Sequence, residues 1–430
     1  MHDEQMRAAR AVTRVLAGER LRDALAAVDD ATPLRGRTLV QELVYGTLRH
    51  WGTLDAIASR LVRKPIAEPP LRSLVAVALY QLDHTRAPAF AVVDRAVFAA
   101  GVLIRPAAKA FVNALLRRYL RERATLAASI DDDVGRWSHP QWWIDRVRHD
   151  HPADWREVLA AGNARPPLTL RVNRGIADRE SLQRSFADAG IEAVAAGADG
   201  LIVTEPRPVT ELPGYEAGAF AVQDLGAQLA APFVDPAPGM RVLDACAAPG
   251  GKTAHLLDLA DVDVVALDAD AARLARIRDN LVRLRLADRR VIVKCGDAGT
   301  PDTWWDGVGF DRILLDVPCT ASGVVRRHPD GKWRHRESDV GRFAREQSRL
   351  LDAAWPMLAR GGTLLYATCS VFRAENDDRV DDFAGRHGDA LRETLRFPER
   401  ASHRGGQLLP SASGAGHNQD GFFYARFRKG

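Results

Sequence analysis

Thiols, lysines and long apolar runs are all scarce in this chain. Its 430 residues hold four cysteines, at positions 246, 295, 319 and 369, and none has a CxxC spacing. That argues against a disulfide framework or a zinc site and fits a reducing, cytoplasmic compartment. No stretch approaches about 18 uncharged apolar residues, so no membrane span is expected. The start, MHDEQMRAARAV, lacks the apolar centre of a secretory signal, so none is expected. Lysines number 6 against 54 arginines, an imbalance that reads as codon bias rather than adaptation to RNA. Internal repeats and low-complexity tracts are lacking too. The remaining composition is that of an ordinary globular protein, 46% hydrophobic and 27% charged. The length suggests two or three domains with full-sized cores. A net charge of +4 and a pI near 9.0 give a mild basic bias, consistent with a nucleic-acid partner.

The chain reads as three parts. Residues 1–135 are all helix: apolar residues recur at helical spacing over 5–30, 36–62, 70–84, 90–104 and 106–127, with Pro and Gly at the breaks. This region holds 20 Lys+Arg against 15 Asp+Glu, enough to account for the whole net charge. Arg117, Arg118, Arg121 and Arg123 place a basic stripe on one helix, either an RNA contact or a solvated face. Residues 136–235 connect. They include the strand LTLRVN (168–173), the helix DRESLQRSFADAG (178–190) and further short strands. Residues 236–430 alternate strands (241–246, 263–268, 290–295, 312–317, 363–369, 422–428) with helices (near 251–259, 269–286, 338–359, 374–387). Such alternation implies a mostly parallel sheet with helices on both faces. The Gly- and Ser-rich stretch 402–421 reads as a mobile loop.

The third part carries the chemistry. Cys319 in RILLDVPCTASG (312–323) and Cys369 in TLLYATCSVF (363–372) each end an apolar strand in a polar turn. Two thiols then sit at the tips of successive strands on one sheet edge. Core cysteines are common, but Asp316, Pro318, Thr368 and Ser370 are poor neighbours for one. Upstream, VLDACAAPGGKT (242–253) runs from a strand into a helix. Gly250 and Gly251 allow close backbone approach to a ligand, and the helix N-terminus offers free N–H groups. Cys246 to Thr253 also fits a phosphate-binding P-loop at every position but the first. Pro249 removes one amide that such a loop needs. Asp268 ends the next strand, where a ribose needs a carboxylate. Asp297, after the third strand, suits the edge of an adenine. Either aspartate can instead cap a turn.

Together, DACAAPGGKT (244–253), LLDVPCTASGVVRRHPDGKW (314–333), YATCSVFRAEND (366–377) and GFFYARF (421–427) resemble the signatures of the RNA cytosine-5 methyltransferases of the bacterial Sun/Fmu type. The helical region resembles the NusB-like RNA-binding domain attached to that type. The resemblance implies an α/β Rossmann-like class I methyltransferase domain, preceded by an all-α NusB-like domain and a small α/β connecting region. It implies S-adenosyl-L-methionine as cofactor and 16S ribosomal RNA as partner, with cytosine 967 as the methylated base. No metal is implied.

By the same resemblance Cys369 is the nucleophile and Cys319 assists product release. Cys246, Ala247, Ala248, Pro249, Gly250, Gly251, Lys252, Asp268, Asp297 and Asp316 contact the cofactor. Cytosine C5 is too weak a nucleophile to take a methyl group unaided, and a thiolate added at C6 makes it enamine-like. Protonation at N3 accompanies attack, and Asp316, close in sequence to Cys319, is a candidate there as well as at the cofactor. Thr320 stands where family members often have Ser. The run VVRRHPDGKWRHRE (324–337) offers Arg326, Arg327, Lys332, Arg334, Arg336 and Trp333 for phosphate contact and base stacking. The target base must be flipped or already unstacked. Two other readings stay open: the same chemistry on another rRNA or tRNA site, and an inactive RNA-binding assembly factor.

Overall fold

A computed structural model describes residues 4–29, 34–205, 207–398, 403–412 and 418–430. The chain divides into two compact units. One comprises Met1–Ala164 with Val325–Glu337, the other Arg165–Val324 with Ser338–Gly430.

The first unit is helical: α1 (Glu4–Leu16), α2 (Leu21–Asp29), α3 (Leu34–Arg49), α4 (Trp51–Leu61), α5 (Pro69–His84), α6 (Ala89–Leu103), α7 (Ala108–Ala128), α8 (Asp133–Trp137), α9 (Gln141–Asp150) and α10 (Trp155–Asn163). Prolines at its first turn start α5 without losing a hydrogen bond. Residues 73–81 of α5 are buried all round, which makes it the central helix of the bundle. The expected helices 5–30 and 36–62 are each two helices. The first breaks at Gly18, whose φ of 107° leaves the helical region. The second breaks at His50, which flanks α4 with φ −108° and ψ 14°.

The second unit holds β1 (Leu168–Val172), β2 (Ala193–Ala196), β3 (Gly200–Val203), β4 (Phe220–Val222), β5 (Arg241–Ala245), β6 (Asp263–Asp268), β7 (Val291–Cys295), β8 (Phe310–Asp316), β9 (Leu358–Thr368), β10 (Ala390–Glu393), β11 (His403–Arg404), β12 (Gln407–Leu408) and β13 (Phe422–Lys429). Its helices are α11 (Arg179–Asp188), α12 (Ala230–Val234), α13 (Gly251–Leu259), α14 (Ala271–Arg283), α16 (Glu337–Ala354) and α17 (Asp377–Arg386); α15 (Asp330–Arg334) lies in the first unit. Strands β1 to β4 form an antiparallel sheet in the order β2-β3-β1-β4, with Leu182 and Phe186 of α11 in its core.

The large sheet runs β11-β12-β13-β9-β8-β5-β6-β7, with β10 on β13. Strands β7, β6, β5, β8 and β9 are parallel, and β13 runs antiparallel to β9. The chain moves outward from β5 to β7, then returns to β8 on the other side of β5. The carboxyl ends of β5 and β8 therefore flank a topological switch point, where open α/β sheets bind ligands. Apolar clusters cover both faces, as near-continuous apolar strands require. Of the stretch 402–421, residues 402 and 413–417 lie outside the described residues. Strands β11 and β12 form a hairpin that extends the sheet from β13, so that part is not a loop.

The run 324–337 requires a correction. It was expected to present its cations to RNA, but Arg326 and Lys332 are buried. Within the first unit, Lys332 Nζ donates to Arg49 O at 2.7 Å, Ser138 O at 2.9 Å and Asn163 Oδ1 at 2.7 Å. Three donors meet three acceptors, with no carboxylate among them. Burial pushes the Lys332 ammonium well below its ordinary pKa. Trp333 Nε1 donates to Leu48 O at 2.7 Å rather than standing free to stack. Arg336 is exposed. Most of the run is a clasp inside the helical unit.

Candidate active site

Strand β5 ends in the loop Cys246–Gly250, and α13 begins at Gly251. Cys246 (φ 65°) and Gly250 (φ 95°) turn the chain sharply, and the Ala248–Pro249 peptide is cis. A Cβ on Gly250 would lie 3.1 Å from the Ile277 backbone, so this glycine is needed for packing on α14 as well as for its dihedral angle. A Cβ on Gly251 would meet only Gln223 Nε2, at 4.0 Å, which leaves the start of α13 open to a ligand.

The loop's amides are already engaged. Ala247 N donates to Leu267 O at 2.8 Å, Gly250 N to Ala247 O at 2.8 Å, and Ala248 N to Asp268 Oδ2 at 3.0 Å. Pro249 has no N–H. A phosphate cradle needs those groups free, so the P-loop reading fails here. Asp268 is buried, and its Oδ1 accepts from Asp270 N at 3.0 Å. The Arg273 guanidinium also approaches both oxygens, at 3.5 Å from Oδ1 and 3.4 Å from Oδ2, so a ribose hydroxyl would share this carboxylate with it. Asp297 accepts from Gly299 N at 2.8 Å and from the Arg349 guanidinium at 3.0 Å. Burial would raise its carboxyl, but Arg349 and that amide outweigh it and hold it below the ordinary range. This donor set, acidic and short of free amides, fits a nucleoside and not a triphosphate.

Lys252 and Asp316 meet across the switch point, with Nζ 2.6 Å from Oδ2. Burial pushes the ammonium down, yet Asp316, with Cys369 and Asp244 adding to it, holds it above its ordinary value. Asp244, on β5 beneath the loop, escaped notice in the sequence because it reads as one more residue of a buried strand. Thr253 Oγ1 donates to its Oδ2 at 2.6 Å, while Oδ1 has no partner among the described residues. Burial pushes the Asp244 carboxyl up to about 7, against the hydrogen bond from Thr253. The fold therefore favours the protonated acid, whereas the unfolded chain ionises near pH 4. Stability from this group is intact below about pH 4 and declines as pH rises towards 7. Asp244→Asn is expected to flatten that slope and to raise stability at pH 8 by roughly 2–4 kcal/mol. Urea unfolding of both proteins at pH 4, 5 and 8 checks this; an equal pH slope in the variant refutes it.

The two thiols come together. Cys319, after β8, and Cys369, after β9, place their sulfurs 3.4 Å apart, and both cysteines are unbonded and half-buried. The hydrogen bond with Cys369, then burial, then the charges of Cys369 and Glu375 push the Cys319 thiol well above its ordinary pKa. Gly323 N donates to Cys369 O at 2.8 Å and ties one turn to the other. Cys246 is at the loop, where burial pushes its thiol up, and Cys295 is exposed at the end of edge strand β7. Among the described residues no cluster of His, Cys, Asp and Glu suits a metal, and no helix is long and apolar enough to cross a membrane.

A switch-point loop, acidic strand ends and paired thiols on adjacent parallel strands define a Rossmann-like methyltransferase domain behind an all-helical NusB-like domain. Residues 231–428 match the family 16S rRNA methyltransferase RsmB/F, 139–210 match the RsmF/B-like ferredoxin-like domain, and 2–121 match the NusB family. Ribosomal RNA small subunit methyltransferase B of Erwinia tasmaniensis is 40% identical over 96% of this chain and 95% of its own length. The protein of the same name from Pseudomonas putida is 42% identical over 99% of this chain and 98% of its own. Among solved structures, PH0851 superposes with a TM-score of 0.78 at 25% identity, covering 99% of this chain and 98% of that one. A methyltransferase homolog from Pyrococcus horikoshii gives 0.59 at 27% identity, covering 69% and 97%. The chain belongs to the RsmB/F family of rRNA methyltransferases.

Proposed function

We propose that this rRNA methyltransferase acts on C5 of a cytosine in 16S rRNA, cytosine 967, with S-adenosyl-L-methionine as methyl donor. The observation that carries the chemistry is the 3.4 Å approach of Cys319 and Cys369 beside the Lys252–Asp316 pair. Two thiols at one ring-sized site suit covalent activation of a pyrimidine. Cys246 to Lys252, with Asp268, Asp297 and Asp316, hold the cofactor, which supplies an electrophilic methyl group when bound.

Cys369 adds to C6, and its sulfur–carbon bond forms as the C5–C6 double bond gives up its electrons towards N3. Asp316 and Lys252, joined at 2.6 Å, handle the proton at N3. Once C5 carries the methyl group, its proton must leave so that the double bond reforms and Cys369 departs. Cys319 assists this step: its sulfur lies 3.4 Å from that of Cys369, and bonding of Cys369 to C6 removes the hydrogen bond that chiefly keeps the Cys319 thiol protonated in the free enzyme. In this reading residues 1–135 bind RNA, 136–235 connect, and 236–430 carry the reaction, which takes place in the cytoplasm. Bisulfite sequencing of 16S rRNA from a strain lacking the gene tests the reading. Loss of the methyl signal at cytosine 967 supports it; a full signal there overturns it.

The helical unit offers a second test. On α7, Arg118 pairs with Glu122 at 3.0 Å and Arg123 with Asp83 at 2.8 Å. Arg117 and Arg121 are exposed and have no acidic partner among the described residues. Replacing both by alanine in the full chain is expected to weaken rRNA-fragment binding about tenfold near 0.1 M salt. The slope of log affinity against log salt should drop by about 1.5–2. A filter-binding salt series that shows no change would remove this face from RNA recognition.

A further inference from the structure

Glu375 lies in the YATCSVFRAEND segment, and no role is assigned to it above. It is fully buried at the end of the turn Arg373–Glu375, just before α17. Burial raises its pKa, opposed by hydrogen bonds from Ser370, Thr320 and Gln347, all of them neutral. A buried carboxylate without a cation is costly, so its contacts bear on what it is for.

Those contacts converge on the two cysteine turns. Thr320, directly after Cys319, donates its backbone N–H to Oε1 at 2.9 Å and its hydroxyl to Oε2 at 2.6 Å. Ser370, directly after Cys369, donates its hydroxyl to the same Oε2 at 2.5 Å. Gln347 of α16 donates to Oε1 at 3.3 Å and also to Pro318 O at 3.0 Å, on the other side of Cys319. Four donors on two oxygens describe an acceptor-only, ionised carboxylate. Its own backbone is fixed by Tyr366, whose hydroxyl donates to Glu375 O at 2.6 Å.

We infer that Glu375 is a positioning residue: one carboxylate clamps the turns of Cys319 and Cys369 together and so sets the separation of their sulfurs. The inference rests on the thiol roles proposed above. Its physical basis is reach. The side chain must span from the α17 end to both turns at once, and a shift of about 1 Å at reacting atoms is worth about a hundredfold in rate. A neutral side chain of equal length keeps most of the clamp, because both hydroxyls can rotate to accept from an amide. A charged side chain one methylene shorter does not.

Glu375→Asp and Glu375→Gln separate reach from charge. The first readout is the rate at which diamide converts the Cys319 and Cys369 thiols to a disulfide in the free enzyme, mapped by peptide mass spectrometry. The two thiols lose two hydrogens and the diazene is reduced to its hydrazine. The second is kcat and KM on an rRNA fragment, and the third is Tm. The aspartate variant should form the disulfide at least about tenfold more slowly. Its kcat should fall about a hundredfold while KM for RNA stays unchanged. The glutamine variant should recover both rates to within about fivefold of the parent at a similar Tm. Parent-like disulfide formation in the aspartate variant would overturn the clamp. So would a glutamine variant slower than the aspartate one, or rates that merely follow Tm. The disulfide readout needs no methyl transfer. A slow disulfide in the aspartate variant, with no covalent RNA adduct from the parent chemistry, would uphold the clamp and reject only the thiol roles.

Discussion

Replacement of Cys369 by alanine is expected to abolish methylation, by at least about a thousandfold, and to leave no covalent complex with RNA. Cofactor binding should survive, because Cys369 belongs to the β9 turn and not to the loop after β5. Replacement of Cys319 by alanine should have the opposite signature. Attack and methyl transfer still proceed, but loss of the C5 proton fails, and the methylated adduct accumulates. It should run as a protein–RNA band that survives boiling in detergent. If the cysteines were merely structural, both variants would show similar partial losses and no band. Reversed roles would give the band with Cys369→Ala. One denaturing gel with labelled rRNA fragment and cofactor separates all three outcomes, and equal behaviour of the two variants would sink the mechanism.

Asp316→Asn should be the next largest lesion. Asp316 ends β8, and its carboxylate holds Lys252 at 2.6 Å. That pair keeps the Lys252 ammonium above its ordinary pKa against the effect of burial. An asparagine removes the charge, so burial then dominates and the lysine pKa falls. If the pair manages the proton at N3, kcat should drop by about 10²–10⁴. Because Asp316 also lies at the cofactor, the dissociation constant for S-adenosylmethionine should rise as well, but by less, about tenfold at most, or about 1.4 kcal/mol. Calorimetry and single-turnover rates read the two quantities separately. A large loss of cofactor affinity at near-parent kcat would instead place Asp316 at the cofactor alone.

The parallel strands were legible because β5, β6 and β8 are buried apolar runs bounded by Gly, Pro or Asp, and each ends where a polar motif starts. The thiol pair was legible for the same reason, since strand tips on one edge must be neighbours. Helix breaks were harder. The apolar periodicity of 5–30 continues through Gly18 and hides the turn there. The run 324–337 misled because charge patterning says nothing of acceptors. Two of the three atoms that hold Lys332 are backbone carbonyls, of Arg49 and Ser138, far away in sequence. Glu375 was invisible for a related reason: near a helix start an acid reads as a favourable charge, and only the folded turns show what it accepts.

The excursion Val325–Glu337 has a consequence for the order of events on the ribosome. The helical unit needs Lys332 and Trp333, yet Cys246, Asp268, Asp316 and Cys319 are all translated before them. Ten helices can therefore emerge and begin to pack while the binding partners of Arg49, Ser138 and Leu48 are still unmade. The first unit reaches its final form only after strands β1 to β8 of the second have left the tunnel. Trimming the chain from its amino end would not excise a finished module. It would take Arg49 O from Lys332 and Leu48 O from Trp333, and leave the segment 325–337 without the helices it packs on.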